Sequence, residues 1–402
     1  MRQYTFSIPQ KIMVGCGVFS KLSEAAKELG GKHAFLISGP SLYRHGVVDR
    51  AITNLEEAGI KADYFTDIEE NPSVETVDKA TKAYRESGAD FLVALGGGSP
   101  MDVAKAVAVV AKYGGSITEY EGAHKVPHKV PGKIIPMIAI PTTAGTGSEV
   151  TAFSVITDHE RNYKLTVFSY ELLPDYAILD PELITTVPAF VAAACGMDAF
   201  IHAEEAYVSL AATPFSEAMS EKAMELIGSS IRRYVANRND IEAAENMLTG
   251  SLFAGIAFSY ARLGNVHAMS HPVSAYFNVA HGVANAALLP EIVRYNALTD
   301  CGKYLKIYNA ISPIKKTADN FTPLMLVDAI RELLADIGIP GNVTEAVRTV
   351  KGRENTTEEE ILRFLDPMSE DAYKSGNIAV NPRSSSIEDI KELYKKAIAL
   401  NR

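Results

Sequence analysis

The first half of the chain alternates short apolar runs with longer amphipathic segments. The apolar runs predict buried strands at 33–38, 61–65, 91–95 and 136–140. The segments between them predict helices at 41–59, 74–87 and 101–113. Ser73 is predicted to cap the second of these helices. Short apolar strands that alternate with helices are typical of a mostly parallel sheet covered on both faces, so this half is predicted to be an α/β domain.

The pattern changes near residues 187–188. From there on, long alanine-rich segments have helical periodicity, at 188–209, 214–237, 241–260, 322–337 and 386–398. Strand-like runs are nearly absent from this half. We therefore predict two domains, an α/β domain of residues 1–187 and an all-helical domain of residues 188–402.

Composition and charge exclude several classes of protein. The 402 residues carry a formal net charge of -10 and lack the lysine and arginine clusters that phosphate contacts require, so nucleic acid is not an expected partner. No segment approaches 18 uninterrupted apolar residues and no signal peptide is recognisable, so no membrane association is expected. Three widely separated cysteines do not suggest a disulfide framework. A cytoplasmic location is therefore expected.

One carboxylate and three imidazoles in the helical half are spaced like a metal site. Asp198 and His202 are four residues apart, and residues four apart on a helix share a face. His267 and His281 follow in two later segments and would complete a set of four ligands. Such a set suits Fe(II), Zn(II), Ni(II) or Co(II), and the ligand types alone do not select among these ions.

Two polar, glycine-rich segments follow predicted strands in the α/β half. The first, GGGSP at 96–100, leads directly into a helix. Glycines let a pyrophosphate come close and a helix N-terminus attracts an anion, although the G-x-G-x-x-G fingerprint is not matched and a plain tight turn has the same composition. The second, PTTAGTGSE at 141–149, carries four hydroxyls. Two such loops after neighbouring strands favour ligand binding beyond the carboxyl ends of the sheet.

Five segments together resemble the iron-containing (group III) alcohol dehydrogenase family. They are GGGSPMDVAKA at 96–106, PTTAGTGSE at 141–149, GMDAFIHAEEAY at 196–207, NVHAMSHPVSA at 265–275 and AHGVANAALLP at 280–290. The resemblance implies an N-terminal dinucleotide-binding α/β domain with a mostly parallel sheet and an all-helical C-terminal domain. This is a dehydroquinate synthase-like architecture, and the family places its active site in the cleft between the domains.

The resemblance also assigns roles to individual residues. It implies that the metal ligands are Asp198, His202, His267 and His281, and it favours iron. His271 matches a histidine beside the nicotinamide, where an imidazole would relay a proton near neutral pH; a core histidine is the alternative. The residues predicted to bind the cofactor are Gly39, Ser41, Asn71, Gly97, Gly98, Ser99, Asp102, Thr142, Thr143, Thr146, Ser148, Lys164 and Leu183.

The segment after the first predicted strand bears on the choice of cofactor. NAD-preferring relatives tend to carry an acidic residue there that binds the ribose hydroxyls. In this chain the segment is SGPS at 38–41, with Gly39 at the place of the carboxylate. Loss of a carboxylate removes repulsion toward a 2′-phosphate, and Ser38 and Ser41 offer hydrogen bonds to it. The sequence therefore favours NADP(H) over NAD(H).

These features together predict an NAD(P)-dependent alcohol dehydrogenase or aldehyde reductase that acts on a small primary alcohol or aldehyde, with Fe(II) as a Lewis acid. A glycerol dehydrogenase-like polyol oxidoreductase and a non-catalytic nucleotide- or metal-binding protein are the alternatives. Phe258 is predicted to be packing, with the substrate pocket as its alternative place. The family also implies a homodimer or a larger homo-oligomer.

Overall fold

The computed structural model describes residues 4–69, 71–122, 129–161 and 163–400. These residues form two compact units. The α/β unit consists of Ser7–Thr143 and Gly147–Ile184. The helical unit consists of the described residues from Thr185 onward, with residues 4–6 and Ala144–Thr146.

The α/β unit is built on a parallel sheet. The strands of the chain are β1 (Lys11–Val14), β2 (His33–Ser38), β3 (Lys61–Phe65), β4 (Phe91–Gly96), β5 (Met137–Pro141), β6 (Phe153–Asp158), β7 (Tyr163–Phe168) and β8 (Tyr176–Leu179). Among the described residues, six of them form a sheet in the order β1-β8-β5-β4-β2-β3. Every neighbouring pair in it is parallel. The predicted mostly parallel sheet is confirmed.

Helices cover both faces of this sheet. They are α1 (Leu22–Glu28), α2 (Pro40–Arg44), α3 (Val47–Glu57), α4 (Val74–Ser87) and α5 (Gly98–Tyr113). Successive side chains of a strand point to opposite faces. Ile37 of β2 therefore enters one core with Val107 of α5, whereas the preceding Leu36 enters a second core with Leu55 of α3. The apolar run of β2 is continuous because both of its faces are buried.

The single helix predicted over 41–59 is wrong. The structure has two helices there, because Gly46 takes a φ of 72° in the left-handed region and ends the first of them. The helix predicted over 74–87 is confirmed with the same bounds, and Ser73 caps it by accepting a hydrogen bond from the backbone N–H of Thr76.

A two-stranded hairpin was not predicted. Strands β6 and β7 pair with each other in antiparallel fashion and form a separate small sheet. Ile156 of β6 and Val167 of β7 are buried in the core that also contains α5, whereas alternate residues are more exposed. In β7 the apolar residues Tyr163, Leu165 and Val167 alternate with Lys164 and Thr166, which is a sequence signal for a half-buried strand.

The second unit is helical. Its helices are α6 (Ala189–Val208), α7 (Pro214–Ala236), α8 (Ile241–Ala261), α9 (Asn265–Phe277), α10 (His281–Asn296), α11 (Lys303–Ile311), α12 (Pro323–Asp336), α13 (Val343–Arg348), α14 (Glu358–Leu362), α15 (Leu365–Lys374) and α16 (Ile387–Ile398). The described part of this unit contains no strand, which confirms the predicted all-helical character. None of the helices in the described residues has the length and apolar character needed to span a membrane.

Candidate metal centre and cofactor-binding edge

Helix α6 brings Asp198 and His202 together in the helical unit. The two residues lie one helical turn apart, and both side chains are buried. Nε2 of His202 lies 3.7 Å from Oδ1 of Asp198. The four-residue spacing thus produces the neighbouring pair that the sequence predicted.

Helices α9 and α10 supply the other two imidazoles. His267 stands in the first turn of α9, and His281 is the first residue of α10. The start of α10 approaches α6 closely because residue 282 is glycine: a Cβ on Gly282 would lie 2.1 Å from the carbonyl oxygen of Ala194. A larger residue at position 282 would therefore force His281 away from α6.

Oδ1 of Asp198 lies close to one nitrogen of each of the three histidines. Its distances to the Nε2 atoms of His202, His267 and His281 are 3.7, 3.5 and 3.8 Å. Tetrahedral coordination with bonds of about 2.0–2.2 Å separates ligand atoms by about 3.4 Å. The ligand atoms of Asp198, His267 and His281 all lie within 4.8 Å of one another. Donor types and spacing both fit a divalent ion.

Two buried polar side chains beside this cluster were missed from the sequence. Asn285, one helical turn after His281, donates from Nδ2 to Oδ1 of Asp198 at 2.7 Å, and the same nitrogen lies 3.1 Å from Nε2 of His267. Glu205 of α6 lies 2.6 Å from Nδ1 of His267. The sequence signal for Glu205 was an acidic residue inside an alanine-rich helix that is largely apolar, where a buried charge needs a partner.

The cluster shifts the protonation equilibria of its members. Burial alone would raise the pKa of Asp198, but the neighbouring histidines outweigh burial and hold that pKa well below its ordinary value. Burial lowers the pKa of His202 to about 4, against the opposing effect of Asp198. Burial would also lower the pKa of His267, but its contacts with Asp198 and Glu205 prevail and raise it to about 9. An ionised Asp198 and a neutral His202 are the protonation states that metal ligands need.

Two further residues of the sequence prediction lie beside the cluster. His271 is exposed, and its ring centroid lies 5.2 Å from that of His281. It is therefore not the core histidine that was the alternative. Phe258 is buried, and its ring centroid lies 4.5 Å from that of His202.

In the α/β unit, the predicted cofactor residues gather at one edge of the sheet. The strands β8, β5, β4 and β2 are consecutive neighbours, and their register pairs Ser38 with Leu95 and Gly96 with Pro141. The residues that follow these strands are Gly39 and Ser41 after β2, Gly97, Gly98 and Ser99 after β4, Thr142 and Thr143 after β5, and Leu183 after β8. The carboxyl edge of an open α/β sheet is where ligands bind.

Helix α5 begins at this edge, three residues earlier than predicted. Gly98 and Ser99 therefore belong to its first turn, at the positive end of the helix dipole. Gly97 approaches the next loop closely, since a Cβ on it would lie 3.2 Å from Oγ1 of Thr143. The two loops that the sequence singled out are thus neighbours, with a helix N-terminus between them that suits an anion.

The remaining predicted cofactor residues lie in two pairs and one separate segment. Oδ1 of Asn71 accepts a hydrogen bond from Nζ of Lys164 at 2.7 Å. Oγ of Ser148 donates to Oδ1 of Asp102 at 3.3 Å. Thr146, in contrast, belongs to the segment Ala144–Thr146, which is part of the helical unit.

A fully buried lysine of helix α5 contacts the loop that contains Ser148, and it was not singled out from the sequence. Nζ of Lys105, on α5, shares its three N–H donors among four oxygens: both oxygens of Ser148 at 2.7 and 2.9 Å and the carbonyl oxygens of Thr151 and Phe153, each at 2.9 Å. Burial lowers the pKa of Lys105 to about 8, partly offset by Asp102. Burial likewise raises the pKa of Asp102 to about 6, against the opposing effect of Lys105. Lys105 fixes the segment that contains Ser148 onto helix α5.

Models of one protein family match both units. Residues 9–181 match the model described as iron-containing alcohol dehydrogenase. Residues 192–398 match the model of the C-terminal region of the Fe-containing alcohol dehydrogenase family. The two matches together cover most of the chain in the expected order.

Characterised relatives and a solved structure agree with these models. The chain is 32% identical to an NAD-dependent methanol dehydrogenase of Bacillus methanolicus, covering 98% of this chain and 99% of that protein. It is 35% identical to an NADPH-dependent butanol dehydrogenase of Clostridium saccharobutylicum, covering 97% of each. The crystal structure of a 1,3-propanediol oxidoreductase superposes with a TM-score of 0.90 at 34% identity, covering 98% of this chain and 100% of that chain.

The fold and the matches define a class of nicotinamide-dependent oxidoreductases that act on alcohols. The chain belongs to the iron-containing alcohol dehydrogenase family. The family implies a metal ion, iron, and a nicotinamide cofactor, and the carboxylate-and-imidazole cluster of the helical unit fits such an ion.

Proposed function

We propose that this chain interconverts small primary alcohols and aldehydes, with Fe(II) as the ion and NADP(H) as the preferred hydride carrier. The observation that supports the proposal is the 3.5–3.8 Å spacing between Oδ1 of Asp198 and three histidine Nε2 atoms. In this proposal residues 188–402 hold the ion and residues 1–187 hold the nucleotide. The methanol, butanol and 1,3-propanediol named for the relatives all carry primary hydroxyl groups, which supports this substrate class.

Different side chains have different roles in the proposed reaction. Asp198, His202, His267 and His281 hold the ion, which would supply Lewis acidity toward the substrate oxygen. The nicotinamide supplies or accepts the hydride. His271, exposed beside His281, exchanges the proton of the substrate hydroxyl with solvent, because an imidazole titrates near neutral pH.

Phe258 contributes an apolar surface beside His202. Its ring is 9% exposed and lies 4.5 Å from the imidazole. A ring in this place keeps water from the buried side of the ligand cluster and strengthens the electrostatic interactions there.

The structure around Gly39 supports the proposed cofactor preference. Gly39 has a φ of -85°, which any residue adopts, and a Cβ on it would meet no heavy atom within 4 Å. Neither the backbone nor packing therefore demands glycine at this place. A site that has room for a carboxylate but lacks one is favourable for the 2′-phosphate of NADP(H).

A substrate and cofactor panel tests the proposed function. The protein is freed of metal, reloaded anaerobically with Fe(II), and assayed with primary alcohols, their aldehydes and glycerol, using both cofactors. We expect the highest kcat/KM with a short primary alcohol or aldehyde and NADP(H). A preference for glycerol would support the polyol oxidoreductase. Absence of any hydride transfer despite bound iron and nucleotide would support the non-catalytic alternative.

The substitution Gly39→Asp tests the cofactor preference separately. A carboxylate beside the ribose repels a 2′-phosphate and binds ribose hydroxyls, so the ratio of kcat/KM for NADPH over NADH should fall about 10-fold or more. Gly341→Ala in the helical unit is the control, because a Cβ there would meet its nearest neighbour, Cδ1 of Leu334, at 4.0 Å. A wild-type protein with a tenfold preference for NADH would contradict the proposal.

Two expectations from the sequence analysis stay predictions. A homodimer or larger homo-oligomer is checked by light scattering coupled to size-exclusion chromatography. A cytoplasmic location is checked by fractionation of cells that produce the protein.

A further inference from the structure

Glu205 lies on the face of α6 that carries two of the proposed ligands. It follows Asp198 by seven residues and His202 by three, so the three side chains project from one side of the helix. Its side chain is 3% exposed. A buried carboxylate is stable only when both of its oxygens have partners.

Both oxygens of Glu205 are engaged at the start of helix α9. Oε1 accepts a hydrogen bond from the backbone N–H of Val266 at 2.6 Å. Oε2 lies 2.6 Å from Nδ1 of His267. The chain leaves room for the carboxylate because residue 264 is glycine: a Cβ on Gly264 would lie 3.0 Å from Oε1. The carboxylate thus has a fixed position relative to the imidazole.

This contact decides which nitrogen of His267 carries the proton. Ion binding requires the ring of His267 to release its proton from the ligating nitrogen, and the neutral imidazole then has one N–H and one acceptor nitrogen. An acceptor 2.6 Å from Nδ1 places the hydrogen on Nδ1, which leaves the lone pair on Nε2. Nε2 is the atom that lies 3.5 Å from Oδ1 of Asp198, on the side of the ligand cluster.

We propose that Glu205 is a positioning residue of the metal centre, which holds His267 with its proton on Nδ1 and makes Nε2 a stronger donor to the ion. The inference rests on the proposed function, because it assumes that His267 is a ligand. Carboxylates that bind the outer nitrogen of a ligand histidine orient the ring and increase its basicity. Helix α6 would then supply two ligands and the group that orients a third.

The substitution Glu205→Gln separates this role from simple space filling. Glutamine has the same shape but one acceptor oxygen and one NH₂ group, so it cannot accept from both Val266 and His267. In the first arrangement the amide oxygen accepts from Nδ1 of His267, and the NH₂ group faces the backbone N–H of Val266. In the second, the NH₂ group donates to Nδ1, and the proton of the imidazole must move to Nε2. The second arrangement blocks the atom that would bind the ion.

The matched control is Glu204→Gln. Glu204 is the preceding residue on the same helix and is also buried, at 2% exposed. The change removes the same group but leaves the contact between Glu205 and His267 in place. Glu205→Asp keeps the carboxylate on a shorter side chain and should give an intermediate result.

The experiment measures the dissociation constant of Co(II) from metal-free protein by competition with a chelator, and the visible spectrum of bound Co(II). We expect Glu205→Gln to weaken binding about 10–100-fold and to change the spectrum, with Glu204→Gln within about 3-fold of wild type. Equal affinities and spectra for both variants would overturn the inference and leave the proposed function intact. A wild-type protein that binds no Co(II) would overturn both.

A measurement on the wild type keeps the inference testable if Glu205→Gln does not fold. Protein labelled with ¹⁵N in histidine is loaded with Zn(II), and the two ring nitrogens of His267 are assigned by their couplings to ring protons. We expect the proton on Nδ1 and the ion on Nε2. An ion on Nδ1 of His267 would overturn the inference.

Discussion

Each unit of this protein buries a cluster of charged side chains, one around Lys105 in the α/β unit and one around Asp198 in the helical unit. The two clusters differ in how far the partner atoms stand from the central charge. Nζ of Lys105 lies within 2.7–2.9 Å of four oxygens of the protein, which satisfy the ammonium as hydrogen bonds do. Oδ1 of Asp198 accepts a hydrogen bond from Asn285 at 2.7 Å, but three histidine Nε2 atoms stand 3.5–3.8 Å from it, beyond a normal hydrogen bond and close to the spacing of ligands on one ion. Burial of charge alone therefore does not indicate a ligand site, whereas the spacing of the donor atoms does.

The largest expected effect is loss of the ion from Asp198→Asn. An amide supplies no negative charge to a divalent ion, so affinity for Fe(II) should fall by more than about 100-fold, exceeding the usual cost of losing an outer partner. Metal content after anaerobic loading, measured by mass spectrometry, and kcat should fall together. Asp328→Asn, an exposed position on α12, is the control. If the Asp198→Asn protein keeps one ion per chain, the spacing of atoms around Asp198 does not mark a ligand site, and the contrast with the Lys105 cluster is wrong.

Lys105→Met should act on the other cluster and destabilise the fold. The change leaves the carbonyl oxygens of Ser148, Thr151 and Phe153 without their buried donor, at a cost of about 3–5 kcal/mol in the free energy of unfolding. Denaturant unfolding measures it, with Lys112→Met as the control, because that lysine is exposed on the same helix. Metal content should stay unchanged. A cost below about 0.5 kcal/mol would contradict the structural role of Lys105.

Gly282→Ala tests whether the close approach of α10 to α6 positions His281, because it should move this ligand without removing it. The added Cβ would meet the carbonyl oxygen of Ala194 at 2.1 Å, so the start of α10 must shift, at a cost of about 1–3 kcal/mol in stability. Because His281 is the adjacent residue, affinity for Co(II) should fall with stability. Gly341→Ala should change neither quantity. Unaltered Co(II) affinity in Gly282→Ala would show that the close approach does not position His281.

The smallest expected effect comes from His271→Ala, which separates proton transfer from ion binding. His271 is exposed, so water can take over part of its proton transfer, and its removal should lower kcat about 10-fold, less than the roughly 10²–10⁴-fold typical of general acid–base groups, while metal content stays near one ion per chain. Added imidazole should restore part of the lost rate if the side chain transfers a proton. Loss of the ion would instead assign His271 to the ligand cluster.

Much of this arrangement follows from local sequence signals. Strand β2 and helix α4 were predicted with the bounds that the structure shows, because a continuous apolar run and a capped amphipathic segment are decided by neighbours in sequence. Gly46, which divides α2 from α3, was missed although a glycine inside a helical pattern is a local signal for a break, because the apolar periodicity on both sides of it predicts one helix.

The partners of buried polar groups could not be predicted in the same way. Lys105 bonds Ser148, 43 residues away, and Glu205 bonds His267, 62 residues away. A single sequence shows that such a residue is unusual in an apolar helix, but the identity of its partner depends on tertiary packing. The ligands themselves were recognisable because Asp198 and His202 share one helix and the histidine segments resemble those of a family.

The placement of three polar side chains on one face of α6 has a consequence for changes in chain length. Insertion of a single residue between Asp198 and Glu205 would turn the later part of the helix by about 100° relative to the earlier part. Glu205 could then no longer face the same side as Asp198, and an insertion before His202 would turn His202 away as well. Insertions and deletions should therefore be rejected within this part of helix α6.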